Sequence, residues 1–365
     1  MNHTPLHSLH QRTGADFVEL SGWDVPNHFG DVKLEYRCLT QGVALVDRSP
    51  LGRFRLSGKD ALDLLNRLTT NKVDVLPVGS GAGTILTTNK GRVIDLLHLF
   101  ATQSGLVMLT SPEARARVVE WLDAYTFSED ITVEDVTENT AMLALLGPDA
   151  EALLRRVSES ALPAVEGPAL ERYGCTGVMV GGVEALALRS DPLDAPGYDL
   201  IVPNQQAEAL WQRLAEAGAA PIGHAAFNAA RIEAGVPRFG CEMSEEVNPW
   251  EAGLQEYIHF AKGCYTGQEV ILRLYNYDRV QRQLARLCFS KPGVPNGAKL
   301  VKDGKAVGLV TSSATHPITG EGIGLGILRK TVAAEDTEVE VVGEDGIAIA
   351  SARVVALPAA QPVGV

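Results

Sequence analysis

Four segments of this chain share one layout, and that layout constrains the fold more than any other feature. Each has a short apolar run, a turn and an amphipathic helical pattern: "FRLSGKDALDLLNRL", "LVMLTSPEARARVVEWL", "MLALLGPDAEALLRRV" and "YDLIVPNQQAEALWQRL". In the first, Leu62, Leu65 and Leu68 recur at helical spacing. In the second, Ser111-Pro112-Glu113 predicts an N-cap followed by a proline at the first helical position. The segments predict an α+β fold.

The segments between these units extend the pattern into two similar lobes. Two further strand-like runs, "GTILTT" and "VIDLLHLFAT", separate the first two units, and "DITVEDVT" follows the second. This arrangement predicts the β-α-β-β-α-β order of a ferredoxin-like lobe. The last two units bracket "CTGVMVGGVEALALRS", which indicates a second copy. The alternative is that strand–turn–helix units are common and these four are independent.

The pattern changes near residue 283, after which short β-like runs alternate with turns. These runs are "RQLARLCFS", "AKLVKDGKAVGLVTSSA", "GIGLGILRK" and "TEVEVVGEDGIAIASARVV", and "KDGK" is typical of a hairpin. They predict a small C-terminal β-barrel or sandwich. The tail "LPAAQPVGV" is expected to be loose.

Charge, cysteine content and the N-terminal sequence narrow the classes of function. A net charge of −13 and a pI near 5.1 disfavour direct binding to nucleic acid. The five cysteines are odd in number and contain no CxxC pair, which argues against a disulfide framework and a self-contained zinc or iron–sulfur site. The start "MNHTPLHSLHQRTGAD" is polar, and no run has the length of a membrane span. We therefore expect a cytoplasmic protein that does not act at a membrane.

The stretch "KGCYTGQEV", Lys262–Val270, is the most unusual in the chain. Thr266 and Glu269 have the spacing of a capping box, which predicts a helix that begins just past Thr266. Cys264 would then lie two residues before the N-cap, near the positive end of the helix dipole and close to Lys262. Both features favour a reactive thiolate. The alternative is a cysteine that serves as a small buried hydrophobe.

A local excess of positive charge surrounds this stretch. Between Lys262 and Arg286 five basic residues face two acidic ones, a net of +3 in an acidic chain. An anionic ligand or partner could bind there. The alternative is a solvated charged face.

The run "KGCYTGQE" resembles the signature of the YgfZ family, the folate-binding relatives of the glycine-cleavage T-protein. Three other segments resemble T-proteins: "GADFVELSGWDVPNHFG", "GVALVDRSPLGRFRLSGKDALDLLNRLTTNKVDVL" and "GYDLIVPNQQAEALWQRLAEAGAAPIGHAAFNAARIEAGVPRFGCEM". The resemblance covers nearly the whole chain and is weakest in the C-terminal barrel.

The resemblance implies a T-protein-like three-domain cloverleaf around a site for tetrahydrofolate or a derivative. The expected domains are a discontinuous folate-cavity α+β domain at 1–50 and 138–282, a ferredoxin-like domain at 51–137, and a β-barrel at 283–358 that precedes the tail at 359–365. The YgfZ branch implies a role in the assembly or repair of iron–sulfur enzymes, with iron–sulfur client or assembly proteins as partners and links to tRNA modification.

Two T-protein motifs carry acidic residues of the folate site, and this chain matches them only in part. Asp95, in "NKGRVIDLLHLF", matches the first of two T-protein aspartates, the key acid beside the folate nitrogen, and Leu96 replaces the second. Strand-like alternation would point Asp95 into the cavity, and the alternative is an acid that faces solvent. Ala195 stands at the position of the glutamate in the T-protein "GYTGE" element, with Asp194 adjacent.

The remaining site residues follow from the same resemblance. Arg231, in "NAARIEAG", matches a family arginine near the folate, and its alternative role is a salt bridge with Glu233 or a neighbour. Trp23 is expected to wall the cavity, with core packing as its alternative. The predicted folate contacts are thus Asp95, Arg231, Lys262 and Trp23, and the predicted catalytic residues are Cys264 and Asp95.

Three functions are compatible with the sequence. The preferred one is a folate-binding accessory protein for iron–sulfur clusters, with Cys264 as its functional thiol and without enzymatic turnover. The second is a folate-dependent aminomethyltransferase, in which Asp95 would steer the attack of the folate amine. The third is an interaction module that keeps the fold and binds no folate.

Overall fold

The computed structural model of the chain describes residues 1–160, 162, 170–193 and 195–358, so Asp194 and the predicted loose tail at 359–365 lie outside the described residues. The described residues form eight α-helices: α1 His7–Arg12, α2 Val32–Gln41, α3 Ala61–Leu68, α4 Arg115–Ala124, α5 Ala150–Val157, α6 Asn204–Glu216, α7 His224–Glu233 and α8 Gln268–Asn276. Three short 3-10 helices lie at Thr137–Asn139, Gln255–Tyr257 and Lys330–Val332.

The strands outside the C-terminal barrel are β1 Asn2–His3, β2 Asp16–Leu20, β3 Trp23–His28, β4 Ala44–Asp47, β5 Gly52–Ser57, β6 Gly81–Thr87, β7 Val93–Thr102, β8 Gly105–Thr110, β9 Thr132–Asp135, β10 Thr140–Leu146, β11 Cys175–Val180, β12 Val183–Arg189, β13 Gly197–Pro203 and β14 Ala220–Pro221. The barrel strands are β15 Arg282–Phe289, β16 Lys299–Lys302, β17 Lys305–Thr315, β18 Gly322–Arg329, β19 Glu338–Val342 and β20 Ala348–Val355.

The chain forms two compact units, each assembled from discontinuous segments. The first unit comprises Met1–Leu65, Val73–Thr84 and Leu96–Phe227. The second comprises Asn66–Lys72, Ile85–Asp95 and Asn228–Val365. This division into two units does not test the three domains expected from the sequence, so their boundaries remain a prediction.

Two of the sheets share one strand order. The five-stranded sheet runs β6-β7-β8-β5-β9, and the six-stranded sheet runs β11-β12-β13-β10-β4-β14. In both, the strand that precedes the first helix of the lobe, β5 or β10, lies inside the sheet next to the strand that precedes the second helix, β8 or β13. This common order is the internal repeat that the sequence predicts. The predicted β-α-β-β-α-β order has four strands, so the first sheet contains one more strand than predicted and the second contains two more.

The helices pack through the predicted apolar faces, but one start is displaced. In α3 the predicted Leu65 and Leu68 are buried, whereas Leu62 is only partly buried and Leu64 is buried instead. The predicted N-cap Ser111 is wrong, because α4 begins only at Arg115 and a turn occupies residues 112–114. A proline after serine fits a turn as well as a first helical position, so the motif alone did not separate the two.

Arg53 on β5 is a fully buried cation that donates hydrogen bonds to a threonine hydroxyl and to main-chain carbonyls. Its Nε donates to Thr140 Oγ1 at 2.9 Å, and Nη1 donates to the carbonyl oxygens of Ser49 and Leu51. Nη2 donates to the carbonyl oxygens of Thr137 and Thr140. Burial lowers its pKa to about 10, so the guanidinium stays charged at neutral pH. All five N–H donors of the side chain are used, which ties β5 to the start of β10.

The C-terminal strands close into a six-stranded barrel of order β15-β18-β17-β16-β19-β20, with β20 paired to β15. The interior is filled by apolar side chains, among them Leu287, Leu300 and Val341. The predicted "KDGK" hairpin is confirmed, since Asp303 and Gly304 have φ values of 51° and 70° between paired β16 and β17. Two successive positive φ values are what a tight hairpin turn requires. The predicted barrel is thereby confirmed.

Replacing Arg53 by methionine should destabilise the fold, because the carbonyls that it satisfies would stay buried without a donor. We expect Arg53→Met to lower the free energy of unfolding by about 3 kcal/mol in urea titrations. Arg55→Met is the matched control: it lies on the same strand and is exposed. A change of about 0.5 kcal/mol or less is expected there. Equal effects of the two substitutions would contradict the role assigned to Arg53.

Candidate functional site

Lys262 is the first residue of the "KGCYTGQEV" motif, and its side chain binds main-chain carbonyls at the C-terminal end of α3. Its side chain is nearly buried, with 9% exposure. The Nζ ammonium donates to the carbonyl oxygens of Asn66 at 2.7 Å, Thr69 at 2.7 Å and Asn71 at 2.5 Å. The last carbonyls of a helix lack partners within the helix, and a cation there is favoured by the helix dipole. Lys262 therefore anchors the motif to residues 66–71.

Two neighbouring contacts hold the same loop. The Lys262 ammonium lies 5.1 Å from the ring centroid of Tyr265, within the range of a cation–π contact. Tyr265 is buried, and that burial raises its pKa to about 12. The main-chain N–H of Thr266 donates to the carbonyl oxygen of Arg67 at 3.0 Å. The segment around Cys264 is thus fixed to the end of α3 on both sides of the thiol.

The helix after the motif begins where the sequence predicts, but a different residue caps it. The first residue of α8 is Gln268, and its N-cap is Gly267 with φ 83° and no side-chain cap. The capping-box prediction for Thr266 is therefore wrong. A Cβ built on Gly267 would lie 2.5 Å from the carbonyl oxygen of Thr88, so glycine permits both the left-handed angle and the close approach. Cys264 precedes the cap by three residues rather than two.

Cys264 is exposed and forms no disulfide. Among the other cysteines, Cys175 is buried, and Cys38, Cys241 and Cys288 are partly buried. The alternative that Cys264 is a small buried hydrophobe is therefore wrong. A thiol on the surface of an anchored loop can be reached by a reagent or a partner.

Three aromatic side chains, Trp250, Phe260 and Tyr275, form an aromatic patch in the same unit as Cys264. The ring centroids of Trp250 and Tyr275 are 4.9 Å apart in a stacked arrangement, and those of Phe260 and Tyr275 are 5.1 Å apart. Phe260 is 51% exposed and Tyr275 is 54% exposed. The indole N–H of Trp250 donates to the carbonyl oxygen of Ile271 in α8, which orients the ring. Phe260 comes four residues before Cys264, so patch and thiol belong to adjoining segments.

The predicted basic island is largely engaged within the protein. Arg282 bonds Glu251 through Nε at 2.8 Å, and Arg286 donates to the carbonyl oxygen of Ala356. Arg273 and Arg279 are the exposed arginines of the island. The surface charge of the island therefore comes mainly from these two residues.

Asp95 lies on β7 and is fully buried. Val93 and Leu97, two residues to either side, are also fully buried, so the strand places all three on one inward face. The alternative of an acid that faces solvent is wrong. Leu96, in place of the second T-protein aspartate, is only partly buried.

Arg231 lies in a buried polar network. Its Nη1 bonds Glu242 Oε2 at 2.9 Å, and its Nη2 donates to Ser312 Oγ at 2.5 Å. Ser312 in turn donates to Glu242 Oε1. Burial lowers the pKa of Arg231, and the adjacent carboxylate opposes that shift. The acidic partner found is thus Glu242, and the network links α7 to barrel strand β17.

The other predicted positions have simpler surroundings. Trp23 begins β3, is 8% exposed and pairs with Leu20 in the antiparallel ladder. Ala195 is exposed, and the possible substitute Asp194 lies outside the described residues.

No sequence pattern singled out His98, which lies three residues after Asp95 on β7. Burial lowers its pKa to about 3, and the charges of Arg48 and Arg172 act in the same direction. The imidazole is therefore neutral at neutral pH. Its ring stacks on Tyr173, with 5.7 Å between centroids. The sequence signal is a histidine inside a mostly apolar strand that also carries Asp95.

None of the helices in the part of the chain that the structure describes is both long and apolar enough to cross a membrane.

Comparison with known families accounts for the architecture. Residues 6–262 match the GCVT N-terminal domain, and residues 282–360 match the glycine cleavage T-protein C-terminal barrel domain. The chain therefore belongs to the glycine cleavage T-protein family.

Individual relatives agree with this assignment. An aminomethyltransferase of Geobacillus kaustophilus is 30% identical over 347 residues, 93% of this chain and 94% of the relative. A putative chloroplastic transferase of Arabidopsis thaliana is 34% identical over 307 residues, 83% of this chain and 69% of the relative. The crystal structure of glycine cleavage system aminomethyltransferase T from Bartonella henselae has a TM-score of 0.86 at 22% identity, and the match covers 98% of this chain and 97% of that one. The predicted T-protein-like fold is confirmed.

The two glycines of the motif offer a matched pair of substitutions. Gly267→Ala should lower the free energy of unfolding by about 2 kcal/mol or more, because alanine must adopt a left-handed angle and meet the Thr88 carbonyl. Gly263→Ala is the control, since its added Cβ would meet no atom within 4 Å and its φ lies outside the left-handed region. Denaturant titrations compare the two, and equal stabilities would refute the steric account of Gly267.

Proposed function

We propose that this chain is a tetrahydrofolate-binding accessory protein of the YgfZ type, which acts in the assembly or repair of iron–sulfur enzymes through Cys264. The observation that carries the proposal is the exposed thiol in an unbroken "KGCYTGQE" motif, on a loop anchored by Lys262. The resemblance of this motif to the YgfZ signature is the basis for the YgfZ type. The exposure of Cys264 on an anchored loop supports a thiol that acts on a partner.

The anchorage supports a positioning role for Lys262. Its ammonium donates to three main-chain carbonyls, so it serves Cys264 by fixing the loop. A functional side chain held by rigid neighbours meets its partner without first paying to order the loop.

The aromatic patch supports a protein as the partner. Trp, Tyr, Phe and Arg are enriched where proteins bind each other, and the exposed rings of Phe260 and Tyr275 adjoin the segment of Cys264. The exposed Arg273 adds a positive charge within α8. An iron–sulfur client or assembly protein with an acidic, apolar surface around its own cluster site fits these features.

The folate part of the proposal depends on Asp95. Asp95 is a buried carboxylate on an apolar strand face. A carboxylate accepts hydrogen bonds, so it suits the N–H donors of a reduced pterin. Trp23 stays a folate contact that is predicted from the resemblance alone. Arg231 and Lys262 are held by Glu242, Ser312 and main-chain carbonyls, so their part is support of the surrounding structure.

The second candidate is a folate-dependent aminomethyltransferase. It is favoured by the relatives that carry that name and match over 93% of the chain. Asp95 would lie beside the folate amine and steer its attack. Leu96 and Ala195, which replace two family acids, count against it. Release of ammonia and methylene-folate from an aminomethylated lipoyl carrier protein, at a rate above background, would establish this activity.

A titration separates both candidates from a module that binds no folate. Adding a reduced folate while following tryptophan fluorescence should give saturable quenching. A flat titration would support the interaction module instead.

Complementation tests the thiol. In a strain that lacks its own factor of this type, Cys264→Ala should abolish rescue, whereas the wild-type chain restores it. Cys38→Ala is the control, because that cysteine is partly buried on α2 and outside the motif. Since Cys264 is exposed, its substitution should change the stability by no more than about 0.5 kcal/mol. Full rescue by Cys264→Ala would refute the functional role of the thiol.

A further inference from the structure

Three metal-ligating side chains converge near the N-terminus, in the first unit. Nε2 of His7 lies 2.9 Å from Oδ2 of Asp24, and Nδ1 of His3 lies 3.9 Å from the same oxygen. The ligand atoms of all three residues lie within 4.8 Å of one another. Two imidazoles therefore face one carboxylate oxygen.

Three separate elements bring these residues together. His3 lies on β1, which pairs in parallel with β3 so that His3 stands opposite Asp24. His7 is the first residue of α1. Its ring lies 4.0 Å from that of His3 and 4.7 Å from that of Phe17 on β2, measured between centroids. The strand pairing and the ring contacts thus bring both imidazoles beside Asp24.

We propose that His3, His7 and Asp24 bind a divalent transition-metal ion, with Zn²⁺ as the ion that best fits the set. Two imidazole nitrogens and one carboxylate oxygen are ligands that zinc uses, and water can complete the coordination. Bonds of about 2.1 Å in tetrahedral geometry place neighbouring ligand atoms about 3.4 Å apart. The two measured separations from the carboxylate oxygen lie on either side of that value. The bound ion would connect β1, α1 and β3. It would thereby stabilise the packing of β1 and α1 against β3.

The ordinary alternative is a histidine–aspartate pair on the surface. The same sheet offers one for comparison: Nε2 of His28 lies 3.1 Å from Oδ2 of Asp16. That pair has one imidazole, whereas Asp24 faces two. The second imidazole makes the N-terminal set a chelating site.

The test uses the full-length chain without a histidine tag, carrying Cys264→Ser so that the exposed thiol does not bind metal. Calorimetric titration with zinc chloride should show one equivalent bound, and Co²⁺ should give visible d–d bands without the near-ultraviolet bands of thiolate ligation. His3→Ala and His7→Ala should each weaken zinc binding by about tenfold or more, since even the loss of an outer-sphere partner costs that much. The control His28→Ala should leave the affinity unchanged.

A second measurement guards against misfolded variants. Zinc should raise the thermal midpoint of the parent chain and of His28→Ala, because an ion that binds only the folded state stabilises it. The increase should vanish in His7→Ala, while the midpoint without metal stays close to that of the parent. Equal zinc affinity in the parent and in His7→Ala, or an affinity lost equally in His28→Ala, would overturn the proposal.

Discussion

The motif of this protein depends on one buried cation, the ammonium of Lys262. Removing a charged group from water is costly unless hydrogen bonds replace its hydration. Three carbonyl oxygens, one in the last turn of α3 and two just after it, provide them at 2.5 to 2.7 Å. Because these carbonyls belong to residues 66–71, the contact joins segments almost 200 positions apart in the chain. The path of the loop that carries Cys264 is set by this contact and by Gly267.

The motif thus contains two kinds of residue. Lys262, Tyr265 and Gly267 are buried or sterically confined, and their contacts build the loop. Cys264 is exposed between them and is the residue free to meet a partner in the proposed function. A loop that serves only packing would bury its cysteine, since a free cysteine is among the residue types most often found inside. Buried cations join secondary-structure elements elsewhere in the chain too. Arg53 links β5 to the start of β10, and Arg231 links α7 to β17.

Local patterns in the sequence predicted the local structure, and long-range contacts decided the rest. The paired α+β lobes, the barrel, the hairpin at Asp303-Gly304 and a helix just past Thr266 all follow from periodicity and turn chemistry, which act over a few residues. The N-cap was missed because Thr88, far away in sequence, approaches Gly267. The partners of Lys262 and the pairing of Arg231 with Glu242 depend on how distant segments pack, which one sequence does not reveal. The burial of Asp95 could not be predicted for the same reason. Strand alternation tells which residues share a face, but it does not tell which face packs against the rest of the protein.

Hydrogen exchange at the main-chain amide of Thr266 tests the central claim most directly. That N–H donates to the Arg67 carbonyl, beside the carbonyls that Lys262 binds. If the Lys262 ammonium holds the loop, Lys262→Met should accelerate exchange at Thr266 by about tenfold or more, which corresponds to about 1.4 kcal/mol of lost local stability. Exchange in the barrel strands should stay unchanged. Unaltered protection at Thr266 in Lys262→Met would contradict the account.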